Sequence, residues 1–278
     1  MGEYTDAALT RKAKLGGMLP AANLTVVLHQ TRSPENMGAV ARVMANFGFS
    51  RLILSDPATY SFRGAERLAV KGGAVLEGMA VAQNLPEALK DCVYAVGTTS
   101  RTQIEGRVAL TPEEAAARLA DQSRRGRVAL VLGGEQRGLS NEELAFCSDF
   151  LVIPTSEVQP SMNLAQAAAV LLYLCSREGR GAPAPEAKLA PEYQGARMGT
   201  VSALGERMRE VLLRAQFLNP QAPEHVLREL ERSLLRAELT QREAELWLTA
   251  FKHMGRMMGG GKGPSDQEVP SRGPPRNA

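Results

Sequence analysis

The sequence has little cysteine and little histidine, with only three of each among its 278 residues. Cys92, Cys147 and Cys175 are odd in number and lie far apart in apolar surroundings. We therefore expect them to be reduced core residues of a cytoplasmic protein rather than a disulfide framework. The three histidines share no metal-ligand spacing with the cysteines, so the sequence predicts no metal site.

Long hydrophobic runs are also absent. No apolar stretch reaches the roughly 18 residues that a transmembrane helix needs. The amino terminus has no apolar segment typical of secretory signals, and Asp6 stands where the myristoylation pattern requires Ser or Thr. We expect no membrane partner.

Several motifs of nucleotide-binding and hydrolytic enzymes are missing as well. No G-x-G-x-x-G follows a predicted strand, so the fingerprint of dinucleotide binding is lacking. The chain has no Walker A motif, because Gly263 follows Gly261-Lys262 and Arg256 stands where the first glycine belongs. It also has no G-x-S-x-G nucleophile elbow. Whatever the chain catalyses, it does so without a histidine-based general base pattern.

The sequence contains enough apolar residues to form the core of one α/β domain and a small additional domain. Hydrophobic residues make up 44% of the chain, which allows a sizeable core. The formal net charge is +3. A weakly basic protein can bind a polyanion such as RNA, but the charge does not require such a partner.

Short apolar strands alternate with helices along the first two thirds of the chain. The predicted strands cover residues 23–28, 51–55, 92–97, 128–132 and 151–153. This regular alternation predicts an α/β fold with a parallel sheet covered by helices. Two segments are less regular: we predict a helix over residues 61–70 and a weak strand over residues 75–81.

Composition divides the chain into five parts. They are a flexible leader (1–22), the α/β domain (23–176), a linker rich in Ala, Pro and Gly (177–195), a small all-α domain (196–257) and a disordered tail (258–278). The all-α part has three amphipathic stretches with arginines on their polar faces. Most such arginines are solvated, but an Arg-rich helical module is also a common way of holding RNA.

The segment that follows the first strand predicts a well-defined helix. Ser33 can cap it, Pro34 suits its first turn, and Gly48 supplies the stop after Phe47. Small residues flank Arg42 on one face of this helix and would let another group approach closely. Arg42 is either a solvated surface charge or a functional residue.

Three polar or glycine-rich loops follow predicted strands, at residues 97–101, 133–139 and 154–161. In an open α/β sheet ligands bind at the carboxyl ends of the strands, so these loops are expected to line one site. The third loop leads into an apolar helix predicted to begin near Ser161, with Asn163 and Gln166 in its first turn. An ordinary strand–loop–helix crossover is the alternative interpretation of that stretch.

These residues carry a resemblance. Residues 36–42 (NMGAVAR), 132–139 (LGGEQRGL) and 153–165 (IPTSEVQPSMNLA) look like the three ordered motifs of the SPOUT superfamily, and within it resemble the TrmH-like RNA 2′-O-ribose methyltransferases. The helical region around residues 196–254 is similar to that of the TrmJ-type enzymes, which methylate nucleotide 32 of the tRNA anticodon loop. One departure is Gly134, where close relatives often carry Arg, which puts the substrate-side contact at this position in doubt.

The resemblance implies a fold, a cofactor and a set of site residues. The sheet would end in a C-terminal trefoil knot, one of the rare exceptions to unknotted chains. S-adenosylmethionine would bind there, contacted by Thr98, Thr99, Ser100, Gly133, Gly134, Ile153, Pro160, Ser161 and Met162. The expected catalytic residues are Arg42, Asn36, Glu135, Ser161 and Asn163. The enzyme would be a homodimer in which Arg42 serves a site completed by the partner subunit.

Arg42 is the base or alkoxide stabiliser proposed for the family. A guanidinium has a pKa above roughly 12 and is a poor base, so we expect Arg42 to orient the ribose or phosphate and stabilise developing negative charge. Asn36 and Glu135 would position loops or the nucleotide, although a purely structural Glu135 remains an alternative. The other functional hypotheses are methylation of another tRNA position or of rRNA, and a non-catalytic RNA-binding protein with the same fold.

Overall fold

A computed structural model describes residues 19–58, 64–104, 106–178, 194–219, 221 and 224–259. Within these residues the strands, in chain order, are β1 (Leu24–His29), β2 (Arg51–Ser55), β3 (Ala80–Ala82), β4 (Cys92–Thr98), β5 (Gln103–Ile104), β6 (Arg107–Val108), β7 (Arg127–Gly133) and β8 (Asp149–Leu151). Six of them form one sheet in the order β3-β2-β1-β7-β4-β8, and all neighbours in it are parallel. Strands β5 and β6 form a separate antiparallel pair.

The α-helices of the described residues are α1 (Pro34–Phe47), α2 (Ala65–Ala69), α3 (Gly73–Glu77), α4 (Leu85–Leu89), α5 (Pro112–Gln122), α6 (Asn141–Ala145), α7 (Leu164–Glu178), α8 (Met198–Arg214), α9 (Glu224–Arg236) and α10 (Gln241–Gly259). Short 3₁₀ turns cover Ala21–Asn23 and Val70–Gly72. The predicted α/β architecture with a parallel, helix-covered sheet is confirmed.

The sheet is buried on both faces because alternate side chains of each strand enter different cores. Leu24, Val26 and Leu28 of β1 face the core that includes α1, α2, α3, α5 and α7. Val27 faces the opposite core, which includes α4, α6 and the first residue of α8. All six residues of β1 are buried, as expected for a central strand of a parallel sheet.

The strand register brings several carboxyl ends to one edge of the sheet. His29, the last residue of β1, lies beside Ser55 of β2 and Gly133 of β7. Thr98, the last residue of β4, lies beside Leu151 of β8. The loops that follow β1, β4, β7 and β8 therefore leave the sheet at the same edge.

The predicted ends of α1 are confirmed. The Ser33 hydroxyl accepts a hydrogen bond from the Asn36 N–H at 3.1 Å, and Gly48 stops the helix with a φ of 82°. The expected close approach to the small residues of α1 is also present. A Cβ at Gly38 would lie 2.1 Å from the Ala65 carbonyl oxygen, so the backbone of α2 occupies this face.

Three local predictions need correction. The helix predicted over residues 61–70 is the shorter α2, and residues 61–63 lie outside the described residues. Val75 is in α3 instead of a strand, because packing of α3 against α1 and β2 outweighs the preference of a β-branched residue for extended backbone. The strand predicted over 151–153 spans Asp149–Leu151 and ends two residues earlier.

The third motif differs from prediction at the start of its helix. Helix α7 begins at Leu164 instead of Ser161, because the Asn163 side chain accepts hydrogen bonds from the N–H groups of Ala165 (2.9 Å) and Gln166 (3.4 Å). This is N-cap geometry, so Asn163 sets the first helical residue. The helix continues to Glu178, two residues into the predicted linker; residues 179–193 lie outside the described residues.

The three amphipathic stretches near the carboxyl terminus form α8, α9 and α10, and α8 packs against both of the others. This helical segment is also attached to the sheet. Met198 is buried in the core beside α4, and the Gly199 N–H donates to the Lys90 carbonyl at 3.1 Å. The Gly195 N–H donates to the Arg125 carbonyl at 3.0 Å. Leu19, which precedes β1, is 4% exposed, so the core begins within the predicted leader, whose residues 1–18 lie outside the described part.

The three cysteines are free and buried, as predicted. Among the described residues, no helix combines the length and hydropathy needed to cross a membrane.

Gly38→Ala should destabilise the protein, because the new methyl group meets backbone and not a movable side chain. We expect the free energy of unfolding to fall by about 1–3 kcal/mol in urea titrations followed by circular dichroism. Gly73→Ala is the matched control, since a Cβ there meets no atom within 4 Å and the φ of −54° is helical. It should be neutral or slightly stabilising. Equal effects of the two changes would contradict the close contact of α1 with α2.

Candidate functional site

A cavity of about 650 Å³ opens at the carboxyl ends of β4, β7 and β8. The three predicted loops supply most of its wall, and the rest comes from the ends of β7 and β8, from residues next to the loops and from the first turn of α7. Its size is within the usual range for small-molecule sites, roughly 300–1,000 Å³. The lining residues are Thr98, Thr99, Ser100, Arg101, Leu132, Gly133, Gly134, Glu135, Gln136, Arg137, Gly138, Leu139, Ser140, Leu151, Ile153, Thr155, Pro160, Ser161, Met162, Leu164 and Ala167.

All nine residues expected to contact a cofactor line this cavity: Thr98, Thr99, Ser100, Gly133, Gly134, Ile153, Pro160, Ser161 and Met162. The five expected catalytic residues are divided. Glu135 and Ser161 line the cavity, whereas Asn36, Asn163 and Arg42 do not. The geometry therefore brings the cofactor residues together and places part of the catalytic set outside the cavity.

Glycine is required at two of these positions by the surrounding backbone. A Cβ at Gly133 would lie 2.3 Å from the carbonyl carbon of Gly138. A Cβ at Gly134 would lie 2.4 Å from the carbonyl oxygen of Gln30. The tight turn over residues 134–138, closed by the Gly138 N–H donating to the Gly134 carbonyl at 2.9 Å, thus packs directly on the end of β1. An arginine at position 134 does not fit this backbone.

Asn36, Glu135 and Asn163 form one chain of hydrogen bonds across the three motifs. Asn163 Nδ2 donates to Asn36 Oδ1 at 3.0 Å, and Asn36 Nδ2 donates to Glu135 Oε1 at 2.9 Å. Because Asn163 also caps α7, the chain links the first turns of α1 and α7 to the loop after β7. These three predicted residues are brought together, beside the cavity.

Glu135 is the centre of this arrangement. Besides Asn36, its carboxylate accepts the hydroxyl of Thr31 at 3.1 Å and the N–H groups of Arg32 at 3.0 Å and Ser33 at 3.3 Å. Partial burial acts to raise the pKa of Glu135, but these hydrogen bonds outweigh it and hold the pKa below its ordinary value. Glu135 is therefore an ionised acceptor at neutral pH, which suits a loop-positioning role and not that of a general acid.

Arg42 lies apart from the cavity. It is exposed on α1, about 9 Å along the helix axis from Asn36 by the helical rise. No hydrogen bond or ion pair joins its side chain to another residue of the described ranges. Within one subunit, Arg42 is thus available to a group that comes from outside the chain.

A second network was missed from the sequence. His29 is 4% exposed, and its Nε2 lies 2.9 Å from Glu143 Oε1 while its Nδ1 lies 3.0 Å from the hydroxyl of Ser55. Glu143 also accepts both terminal nitrogens of Arg137, at 2.6 and 3.1 Å. The Ser140–Glu143 capping box was visible in the sequence, but the residue on its other side is 114 positions away.

The cavity wall also includes Arg101, which the sequence placed in a loop without a role. Its guanidinium donates to the Leu139 carbonyl at 2.7 Å and to the Asn141 side chain. Arg101 therefore ties the loop after β4 to the start of α6. Among the described residues, no group of three or more His, Cys, Asp or Glu side chains has metal-binding geometry.

Comparison with known proteins identifies the family. The model of the SpoU rRNA Methylase family matches residues 23–173, more than half of the chain. The chain belongs to this family. A tRNA (cytidine/uridine-2′-O-)-methyltransferase TrmJ of Pectobacterium atrosepticum is 30% identical over 227 residues, covering 81% of the chain and 93% of the relative. A tRNA (cytidine/uridine/adenosine-2′-O-)-methyltransferase TrmJ of Pseudomonas aeruginosa is 30% identical, covering 80% and 90%.

Two solved structures resemble this fold over more of the chain than the family match covers. TrmJ from Z. mobilis ZM4 superposes with a TM-score of 0.71 at 24% identity, covering 83% of this chain and 98% of that one. A methylase family protein from Neisseria gonorrhoeae gives a TM-score of 0.59 at 25% identity, covering 70% and 96%. The first of these likenesses concerns the fold alone.

Replacing Glu143 should change how stability depends on pH. Burial raises the pKa of Glu143, but hydrogen bonds from Arg137, the Ser140 N–H and His29 outweigh it and hold the pKa at about 2. A carboxylate with a depressed folded-state pKa stabilises the protein above its unfolded pKa of about 4.3, and this contribution is lost as the pH falls towards 2. Because Arg137 is half exposed and solvent screens its charge, the contribution is on the order of 1–3 kcal/mol.

In Glu143→Gln the free energy of unfolding should be lower at pH 7, and its decline between pH 4.5 and 2 should be shallower than in the native protein. Urea titrations across this range measure both effects. Glu142→Gln, an exposed neighbour outside the network, is the control and should retain the native profile. An unchanged slope in Glu143→Gln would contradict the assignment of the network.

Proposed function

We propose that this SpoU-family enzyme is an S-adenosylmethionine-dependent tRNA 2′-O-ribose methyltransferase that acts on nucleotide 32 of the anticodon loop in the cytoplasm. The single observation that carries the reaction class is the match, over most of both chains, to relatives named tRNA 2′-O-methyltransferases. Support from the geometry is the cavity at the carboxyl ends of β4, β7 and β8, which has the size and the mixed lining of a small-molecule site.

The cavity fits S-adenosylmethionine by the chemistry of its lining. Ile153, Leu132 and Met162 offer apolar surface to an adenine ring, and Thr98, Thr99 and Ser100 offer hydroxyl groups. At Gly133 and Gly134 no side chain covers the backbone, so a ligand in the cavity can approach the backbone closely. When bound, S-adenosylmethionine supplies an electrophilic methyl group for attack by the ribose 2′-hydroxyl.

The residues of this chain would align the hydroxyl and stabilise the charge that develops on it. Asn36 and Glu135 hold the loop before α1 beside the cavity, and Asn163 fixes the start of α7 there. Ser161, exposed at the cavity, can donate a hydrogen bond to cofactor or ribose. Holding the reacting groups in one geometry is a large part of what such a site must do.

Arg42 would serve the cavity of a second copy of the chain. It lies outside the cavity of its own subunit and bonds to no described side chain, and an isologous C₂ pair is the commonest oligomer. In this proposal its guanidinium, cationic at any working pH, binds the ribose or an adjacent phosphate and stabilises developing negative charge. The proposed assembly is therefore a homodimer.

Two further features belong to the proposal. One is a trefoil knot formed where residues 151–178 leave the sheet and return as α7 against α1 and α5. The other is that α8–α10 form a small all-α domain that contacts tRNA, for which the arginines on its helices provide charge. In this proposal the methyltransferase domain spans residues 23–176 and the all-α domain spans residues 196–257, joined through residues 177–195.

The first experiment is methyl transfer from labelled S-adenosylmethionine to total tRNA and, separately, to rRNA, with mass-spectrometric mapping of the modified nucleoside. We expect a 2′-O-methylated pyrimidine at nucleotide 32 of tRNA. Label in rRNA, which the family description also permits, or at another tRNA position would keep the reaction class and overturn the substrate assignment. Cofactor binding without transfer to either RNA would favour a non-catalytic RNA-binding protein.

Arg42→Ala should abolish methyl transfer, with a loss of at least about a hundredfold in kcat, because a charge-stabilising donor is removed. The dissociation constant for S-adenosylmethionine should stay within about twofold, since Arg42 does not line the cavity. Calorimetry and single-turnover transfer measure the two quantities. Arg51→Ala, an exposed arginine at the amino end of β2, is the matched control and should retain transfer. Normal turnover in Arg42→Ala would remove Arg42 from the site.

Mixing two inactive variants tests whether the site is shared between subunits. Thr99→Trp should block cofactor binding by filling the cavity, and Arg42→Ala should lack the substrate contact. When the two variants are unfolded together and refolded, mixed dimers contain one cavity with both functions intact. Activity should then return to about a quarter of the native level, because about half of the dimers are mixed and each has one working site. No recovery would mean that Arg42 serves its own subunit.

A further inference from the structure

His29, Glu143 and Ser55 form a buried Ser–His–carboxylate row that the reaction as described does not use. Ser55 is fully buried and is the last residue of β2. His29, the last residue of β1, lies between the Ser55 hydroxyl and the Glu143 carboxylate. A nucleophilic serine must reach a substrate, and a fully buried hydroxyl cannot, so this row is not a hydrolytic site.

The row is attached to the wall of the cavity through Glu143. Glu143 accepts hydrogen bonds from the Ser140 N–H at 2.7 Å and from both terminal nitrogens of Arg137. Arg137 and Ser140 line the cavity. Arg137 also donates to the Gln30 side chain at 2.6 Å, and Gln30 donates in turn to Asp56 at 2.7 Å. Residues at the ends of β1 and β2 are thus linked through hydrogen bonds to the second half of the 134–140 loop, residues 137–140.

The hydrogen-bond pattern fixes the role of one ring nitrogen of His29, Nε2. An ionised Glu143 can only accept, so His29 Nε2 carries a proton and donates to it. The Ser55 hydroxyl can either donate to Nδ1 or accept from it, so the row stays satisfied whether or not Nδ1 is protonated. Without His29, the buried Ser55 hydroxyl would lose its partner and Glu143 would lose one of its donors.

We propose that His29 is a positioning residue which, through Glu143 and Arg137, holds the 134–140 loop in the conformation that the cofactor cavity requires. Glu135 anchors the first half of the same loop to residues 31–36, and the His29 row anchors its second half. Glu135 and Glu143 therefore attach the two ends of one short loop to the end of β1 and the residues that follow it. This inference rests on the proposed function for its ligand but not for the loop itself.

His29→Leu in the full chain tests the inference. It should raise the dissociation constant for S-adenosylmethionine about tenfold, as expected when a hydrogen bond to a charged group is lost. The KM for tRNA should stay within about twofold. Amide hydrogen exchange in residues 134–140 should become faster without any ligand. His29→Gln, which can keep a donor facing Glu143, should restore both the cofactor affinity and the loop protection to within about threefold of native.

Val27→Ala is the control for a merely structural effect. Val27 is fully buried on the same face of β1, two residues before His29, and shares a core with Leu139 of the loop. Its truncation should therefore lower stability without removing any of the loop's hydrogen bonds. It should leave cofactor affinity and exchange in 134–140 unchanged. Native exchange of this loop in His29→Leu, or an equal loss of affinity in Val27→Ala, would overturn the inference. If the native protein binds no S-adenosylmethionine, the proposed function fails, while the exchange measurement still decides the role of His29.

Discussion

The ionised Glu135 side chain is the constraint on which the rest of the site depends. Its two oxygens accept hydrogen bonds from four residues between Thr31 and Asn36, so one carboxylate holds the whole connection between β1 and α1. Asn36 also accepts a hydrogen bond from Asn163, which links this connection to the start of α7. Partly buried carboxylates are tolerated only when donors surround them. Two backbone N–H groups before α1, the Thr31 hydroxyl and the Asn36 amide supply these donors. The loops of the three motifs are consequently held in fixed positions relative to one another.

The parallel sheet makes this convergence possible. Loops that follow neighbouring parallel strands leave at the same edge, so residues more than a hundred positions apart can meet without a long excursion. Glycine at 133 and 134 then removes the side chains that would separate the loop after β7 from the end of β1. The same packing that forms the cavity wall excludes an arginine at position 134.

The fold and the cavity could be predicted from short sequence patterns because their causes are local. The alternation of apolar strands with helices predicts the parallel sheet, and the Ser33 cap that the sequence predicts is present in the structure. The start of α7 was misplaced by three residues, since Ser161 and Asn163 are both good caps and only the contact with Asn36 selects the second. Val75 was misassigned for a similar reason, because packing on α1 overrode its local preference. His29 was invisible as a site residue, because its meaning depends on a carboxylate 114 positions away.

The cavity and Arg42 would recognise their ligands, the cofactor and the RNA substrate, in different ways. The cavity is lined by small and large side chains of three loops, and the loop after β7 packs closely on the end of β1, so the shape of the cavity is set by the packing of loops on the sheet. Arg42 differs in every respect: it is exposed, extends from the middle of a helix and is not held by any described side chain. A rigid pocket suits a cofactor that is the same in every reaction cycle. A long, unconstrained cation suits a phosphate or ribose on a large substrate whose position must be adjusted at each encounter. In the proposed homodimer, Arg42 of one chain would lie at the cavity of the other, which would bring these two kinds of surface together.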